Sequence, residues 1–183
     1  MILNTDIEFP FLQETELHTT LNPSILKVLR DIKSQLPNVD YADEYDAKAE
    51  KALWLVDHLG FSLYTTNEEC DGFILLEDKE IYINENQIYT DDDRLYETIS
   101  HEVGHIIQYN TGDYVIYNNR SLSGTVRLEQ QCDAIATLLH SMVFGEKYQL
   151  CYYDESSVKF LRDWHGSYME NDIILSDDLD MSI

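Results

Sequence analysis

The apolar residues of this 183-residue chain change their period twice, and that change limits the folds open to it. In residues 22–36, Ile25, Val28, Leu29 and Ile32 recur at the three- and four-residue spacing of one helix face. Asn22 supplies an oxygen cap, Pro23 suits the first helical position, and Pro37 closes the run. A second helical stretch carries Ala49, Ala52, Leu53, Val56 and Leu59, with Gly60 as its stop. The spacing then shortens. Residues 61–64 read as a short strand, and residues 72–76 and 81–83, joined by the turn-like 77–80, read as a hairpin. Residues 84–87 break the sheet. Thr90 and three aspartates at 91–93 then open a helix that runs toward Gly112, because an oxygen cap and acidic groups offset the exposed amides of a first turn. Residues 113–125 read as a loop or irregular strand, and a last long helix spans 126–144 before Gly145. Beyond it, residues 158–164 hold a short helix candidate, and the acidic end is expected to fray. Helices, a small antiparallel sheet, then helices make an α+β domain.

Charge narrows the partners. Thirty-five acids against twelve bases give a formal charge of −23, which repels nucleic acid and anionic membrane and favours basic proteins or peptides. No run approaches the roughly 18 apolar residues of a membrane span. The first residues lack the basic start and apolar centre of a secretion signal, and three scattered cysteines fit a reducing compartment. A cytoplasmic protein is the expectation.

The most informative residues are His101-Glu102-Val103-Gly104-His105. On a helix the two histidines lie one turn apart on the same face, so two neutral imidazoles can bind one Zn²⁺. Glu102 on the adjoining flank can take a proton from water and pass it to a leaving amine, which makes it the candidate catalytic residue. Ile99, Val103 and Ile106 form a core-facing stripe. Gly104 costs helix stability, about 1 kcal/mol against Ala, and makes sense where another helix approaches its backbone closely. A catalytic zinc needs a third protein ligand, for which Glu129, Asp133, His140 and His165 are candidates. The spacing favours Glu129, with Asp133 one turn on to accept a hydrogen bond from a ligating histidine. His140 lies too many turns beyond Glu129 to share its metal, and His18 and His58 read as structural. A donor is also needed for charge developing on a carbonyl oxygen; His165 is the first choice, ahead of Tyr109, Tyr114, Tyr117, Tyr153 and Tyr168.

The hairpin, the HEVGH helix and the block Glu129-Gln130-Gln131-Cys132-Asp133-Ala134-Ile135-Ala136 together resemble the ImmA/IrrE family of small zincin metallopeptidases, over roughly residues 47–143. The aromatic tail is more distantly similar to the zincin domains of ArdC-type antirestriction and phage polyvalent proteins. The resemblance implies a zincin-like core over residues 46–145; residues 1–45 then read as a helical extension and 146–183 as an acidic, aromatic tail packed on the core. It implies His101, His105 and Glu129 as zinc ligands and Glu102 as base. It also implies limited endopeptidase cuts in a protein substrate such as a helix-turn-helix regulator, in a phage or mobile-element setting and hence in host cytoplasm. The alternative is an acidic module without turnover that binds protein, mimics DNA or travels with a virion. The 40 N-terminal residues and the tail after 145 depart from the family pattern.

Overall fold

A computed structural model describes residues 21–38, 44–89, 94–114 and 122–148. Its described elements are five helices and a three-stranded sheet: α1 Pro23–Gln35, α2 Glu44–His58, β1 Ser62–Thr66, β2 Gly72–Leu75, β3 Glu80–Asn84, α3 Glu85–Tyr89, α4 Arg94–Thr111 and α5 Leu122–Phe144. This is the α+β mixture that the periodicity implies. No helix among the described residues is long and apolar enough to cross a membrane. The expected cap of α4 at residues 90–93, the segments 1–20 and 149–183, and the helix candidate at 158–164 lie outside the described residues.

Local chemistry explains the helix ends. The Asn22 side chain accepts from the Ile25 amide at 3.0 Å, and its amide nitrogen donates to the Asp113 carboxylate at 2.6 Å. One residue thus caps α1 and ties it to the end of α4, a double task that needs both an acceptor and a donor. At the end of α2, the Phe61 amide reaches back to the Val56 carbonyl at 3.1 Å and the Gly60 amide to Asp57 at 2.8 Å. That pair of bonds requires a left-handed residue, and Gly60 supplies it with φ +79°. Of the residues whose spacing marks this helix, Leu53 is 57% exposed, while Leu55, outside that set, is fully buried. Helical spacing allows either, and the packing of Leu55 and Val56 turns Leu53 outward.

The sheet is mixed, a correction to the antiparallel reading. Its order is β1-β3-β2, with β1 parallel and β2 antiparallel to β3. Asn84, at the end of β3, decides this topology. Its side-chain amide donates to the carbonyls of Glu68 at 2.6 Å and Cys70 at 3.2 Å, and its backbone amide donates to Asp71 at 3.0 Å. The 67–71 loop therefore wraps the end of β3, so β2 pairs on the far side from β1. At the other end, the Ser62 amide donates to the carbonyl of Lys79, whose left-handed turn closes the hairpin. Ile81 and Ile83 are buried on the core face of this central strand. Where residues 84–87 were read as a sheet break, the chain turns at once into α3, with Asn84 Oδ1 accepting from the Asn86 amide.

Helix α4 sits at the centre. Every residue from Leu95 to Gln108 is buried, packed by α5, by the sheet and by α1 and α2. The expected stripe of Ile99, Val103 and Ile106 joins Ile25, Leu29, Ile32, Leu55 and Ile135 in one core. Residues 23–35, read as part of an N-terminal extension, contribute three fully buried side chains to it. Helix α5 begins at Leu122, four residues before its expected start. Its approach to α4 is close: a Cβ on Gly104 would lie 2.7 Å from the Cys132 sulfur and 3.1 Å from the Cys132 carbonyl oxygen.

Gly104→Ala gains about 1 kcal/mol of helix propensity. It must also push α5 aside, an overpacking cost of about 1–3 kcal/mol. Because one of the crowded atoms is backbone, the second effect wins. Urea denaturation is expected to show net loss of stability, partly restored in the Gly104→Ala/Cys132→Ala double variant; an Ala variant more stable than wild type would refute the close contact.

Candidate metal centre

The α4–α5 contact brings most of the sequence-derived site residues into one buried place. His101 and His105 project from adjacent turns of α4, their rings 4.8 Å apart and nearly perpendicular. Glu129 comes from α5. One of its carboxylate oxygens, Oε2, stands 3.2 Å from His101 Nε2 and 3.5 Å from His105 Nε2. Asp133, one turn further along α5, lies 3.3 Å from His101 Nδ1. His101, His105 and Cys132 also form a buried group whose donor atoms lie within 4.8 Å of one another, and this group could hold a metal ion.

Hydrogen bonds orient both imidazoles. The Gln108 side-chain nitrogen donates to the Leu128 carbonyl at 2.8 Å and to Gln131 Oε1 at 2.9 Å, which leaves Gln108 Oε1 facing His105 Nδ1 at 2.8 Å. An amide oxygen only accepts, so His105 keeps a proton on Nδ1, and Nε2 is the nitrogen open to a metal once its own proton is lost. Asp133 does the same for His101: its carboxylate accepts from Nδ1–H, and Nε2 is left as the donor atom. The Tyr148 hydroxyl donates to the same Asp133 oxygen at 2.9 Å. Burial holds the Tyr148 phenol far above its ordinary pKa, so it stays a donor. The Cys132 thiol donates to the His101 carbonyl at 3.0 Å and lies 3.8 Å from the ring's Nδ1 side.

The field here favours positive charge. Burial works against protonating His101, but the bonds to Asp133 and Glu129 oppose it and hold its pKa well above the ordinary value. His105 behaves likewise, with burial opposed by Glu129. Burial would raise Glu129, yet the two histidines pull its carboxyl well below the usual range. Protons or a divalent cation answer the same anionic surroundings. Glu102, buried beside them, moves the other way: burial raises its pKa, against the lowering effect of His101 and His105, with Glu129 adding to the rise. A carboxyl of this kind exchanges its proton nearer neutrality than an exposed one.

His165, the first choice for an oxyanion donor, lies outside the described residues, as do Tyr117, Tyr153, Tyr168 and His18. Tyr114 stands edge-on to His105 with ring centroids 6.4 Å apart, while Tyr109 is largely exposed beyond it. His58 stacks on Trp54 and faces Asp31 at 3.6 Å on the surface. His140 is fully buried away from Glu129, with Nδ1 3.0 Å from Ser100 Oγ and Nε2 3.8 Å from Glu146. Sequence reasoning missed Gln108 and Tyr148. The first was findable, since it stands three residues after His105 on the same helix; the second is one of 13 tyrosines, past the end of α5, with no local signal. Compared with known proteins, the chain matches no family, no curated protein and no solved structure.

The buried imidazole of His140 makes stability depend on pH. Burial lowers its pKa from 6.5 to about 4, with Lys48 adding and Glu146 and a Tyr96 backbone bond opposing. The unfolded chain therefore takes up this proton first. The stability of the neutral form is complete above 6.5 and is lost as pH falls toward about 4. In parallel denaturation curves from pH 7 to 4, wild type should lose up to about 3 kcal/mol more than His140→Gln. Equal losses would show that His140 does not titrate this way.

Proposed function

We propose that this chain is a zinc-dependent endopeptidase that makes limited cuts in a protein substrate, as its resemblance to the ImmA/IrrE peptidases implies. The observation that carries the reading is the spacing of three donor atoms. A tetrahedral zinc with bonds of about 2.0–2.1 Å holds its donors about 3.3 Å apart. The Glu129 oxygen lies 3.2 and 3.5 Å from the two Nε2 atoms, the ring nitrogens that Asp133 and Gln108 leave open to a metal. Cys132 lies toward His101 Nδ1, the nitrogen that Asp133 engages, and its thiol is spent on a backbone carbonyl. His101, His105 and Glu129 are therefore the ligand set we assign, with Cys132 as packing.

A bound zinc ion would supply Lewis acidity, polarising a peptide carbonyl and making water a competent nucleophile near neutral pH. The protein's own groups do the rest. Asp133 and Gln108 hold the two rings in the correct tautomer. Tyr148 fixes Asp133 in turn. Glu102, its pKa raised by burial, accepts the water proton and returns it to the departing amine. The acidic surface favours basic substrates by attraction at a distance.

Purified protein should contain one zinc per chain by elemental analysis. Glu102→Gln should keep that zinc while hydrolysis of a protein substrate falls by about 10²–10⁴-fold. Protein without stoichiometric zinc, or a Glu102→Gln variant of undiminished turnover, would end the proposal. Tyr148→Phe should fold normally and bind zinc about tenfold more weakly in a competitive chelator titration, because Asp133 loses the bond that holds it. Unchanged zinc affinity would show that Tyr148 only packs.

A further inference from the structure

The face of the sheet opposite the core carries an aromatic strip that the metal centre does not use. Side chains alternate along each strand, so Ile81 and Ile83 point inward while Glu80, Tyr82 and Asn84 point outward. The register places Tyr64 of β1 and Phe73 of β2 on either side of Tyr82. The three rings stack side by side, with centroids 5.4 Å apart for Tyr64–Tyr82 and 4.9 Å for Phe73–Tyr82, and interplanar angles of 28° and 11°. Tyr64 is 45% exposed, and Leu75, on the same face beside Glu80, is 40% exposed. These are two of the four exposed large apolar side chains among the described residues. A solvent-facing sheet surface normally reads polar, and packing between strands does not require rings this open to water.

The strip is edged with acid. The Tyr82 hydroxyl donates to Glu80 at 2.9 Å. That bond is the main cause raising the Tyr82 phenol's pKa, and burial, Tyr64 and Asp78 add to it. Glu80 therefore stands at the margin of the ring faces, with Asp78 in the hairpin turn two residues before it. The negative faces of aromatic rings attract cations, and carboxylates at the rim pair with them. The same carboxylates, in a chain of charge −23, repel the phosphates that a base-stacking surface would have to accept. We propose that the Tyr64–Tyr82–Phe73 strip is a docking surface for an arginine- or lysine-bearing segment of a partner protein. A guanidinium plane lies over Tyr64 and Tyr82, and Glu80 takes the charge-assisted hydrogen bonds. This binding is independent of the metal centre and of any turnover.

The test uses the full chain and a fluorescein-labelled arginine-rich peptide in an anisotropy titration at about 0.3 M salt, where generic attraction to a polyanion is largely screened. Wild type should bind, and Tyr64→Thr, which keeps strand propensity, should bind about fivefold more weakly. Glu80→Gln should weaken binding about threefold. Asp57→Asn, an exposed acid on α2 outside the strip, should leave affinity unchanged and so separate the strip from net charge. The Glu80→Gln result decides the matter even if Tyr64→Thr fails to fold. Wild-type binding that vanishes at this salt, affinity equal in wild type and both strip variants, or a Tyr64-dependent dimer in sedimentation would each overturn the assignment, the last by showing that the face pairs with a second copy.

Discussion

The approach of α5 to α4 at Gly104 is the contact on which the rest of the centre depends. A histidine pair one turn apart is a property of a single helix, but the carboxylates that stand against it arrive from another chain segment about 25 residues on. They reach the imidazoles only because the α5 backbone lies against a residue with no side chain, with the Cys132 sulfur filling the space where a Cβ would stand. A thicker residue at 104 would hold Glu129 and Asp133 away from the rings. Close helix packing is the means by which a weak local preference is overruled: glycine is a poor helix former, yet it stands in the buried stretch of α4.

Around that contact, polar groups are buried in an order that limits their cost. Burying a carboxylate or an imidazole without partners is expensive, and here each has several. Asp133 serves His101 and Tyr148; Gln108 serves His105, Leu128 and Gln131; Glu129 faces both Nε2 atoms. The network assigns each ring its tautomer without any reference to a ligand, because the acceptors are carboxylate and amide oxygens that cannot donate. The resulting field draws positive charge to one point, and burial leaves Glu102, beside it, readier to exchange a proton near neutrality. Pre-organisation of this kind is what metal binding and proton transfer both require.

Much of this was legible locally. The Asn22 cap, the Gly60 stop, the α4 stripe and the hairpin each follow from spacing and turn chemistry within a dozen residues. The placing of Glu129 and Asp133 beside the histidine pair also follows from spacing, which leaves room for a loop and a return helix. What misled was equally local. Leu53 and Leu55 both suit a helix face, and only the neighbouring elements choose between them. The strand at 62–66 could have joined either edge of the hairpin; Asn84 and the loop it holds put it parallel to β3. The acidic composition spoke of partners in general terms and nothing in it pointed to the outer sheet face, because an aromatic strip there is assembled from one residue on each of three strands.

By itself, then, the sequence determined α1, α2, α4 and α5, the cap of α1, the stop of α2, the hairpin and the chemistry that a His-Glu-x-x-His helix can carry, since each of these depends on residues close along the chain. Only the tertiary structure decided which acids and amides orient the histidines, that Tyr148 supports Asp133, that the sheet is mixed, and that three aromatic rings share a surface. Those are contacts between residues far apart in sequence, and a linear pattern carries the donors and acceptors without saying which of them will meet.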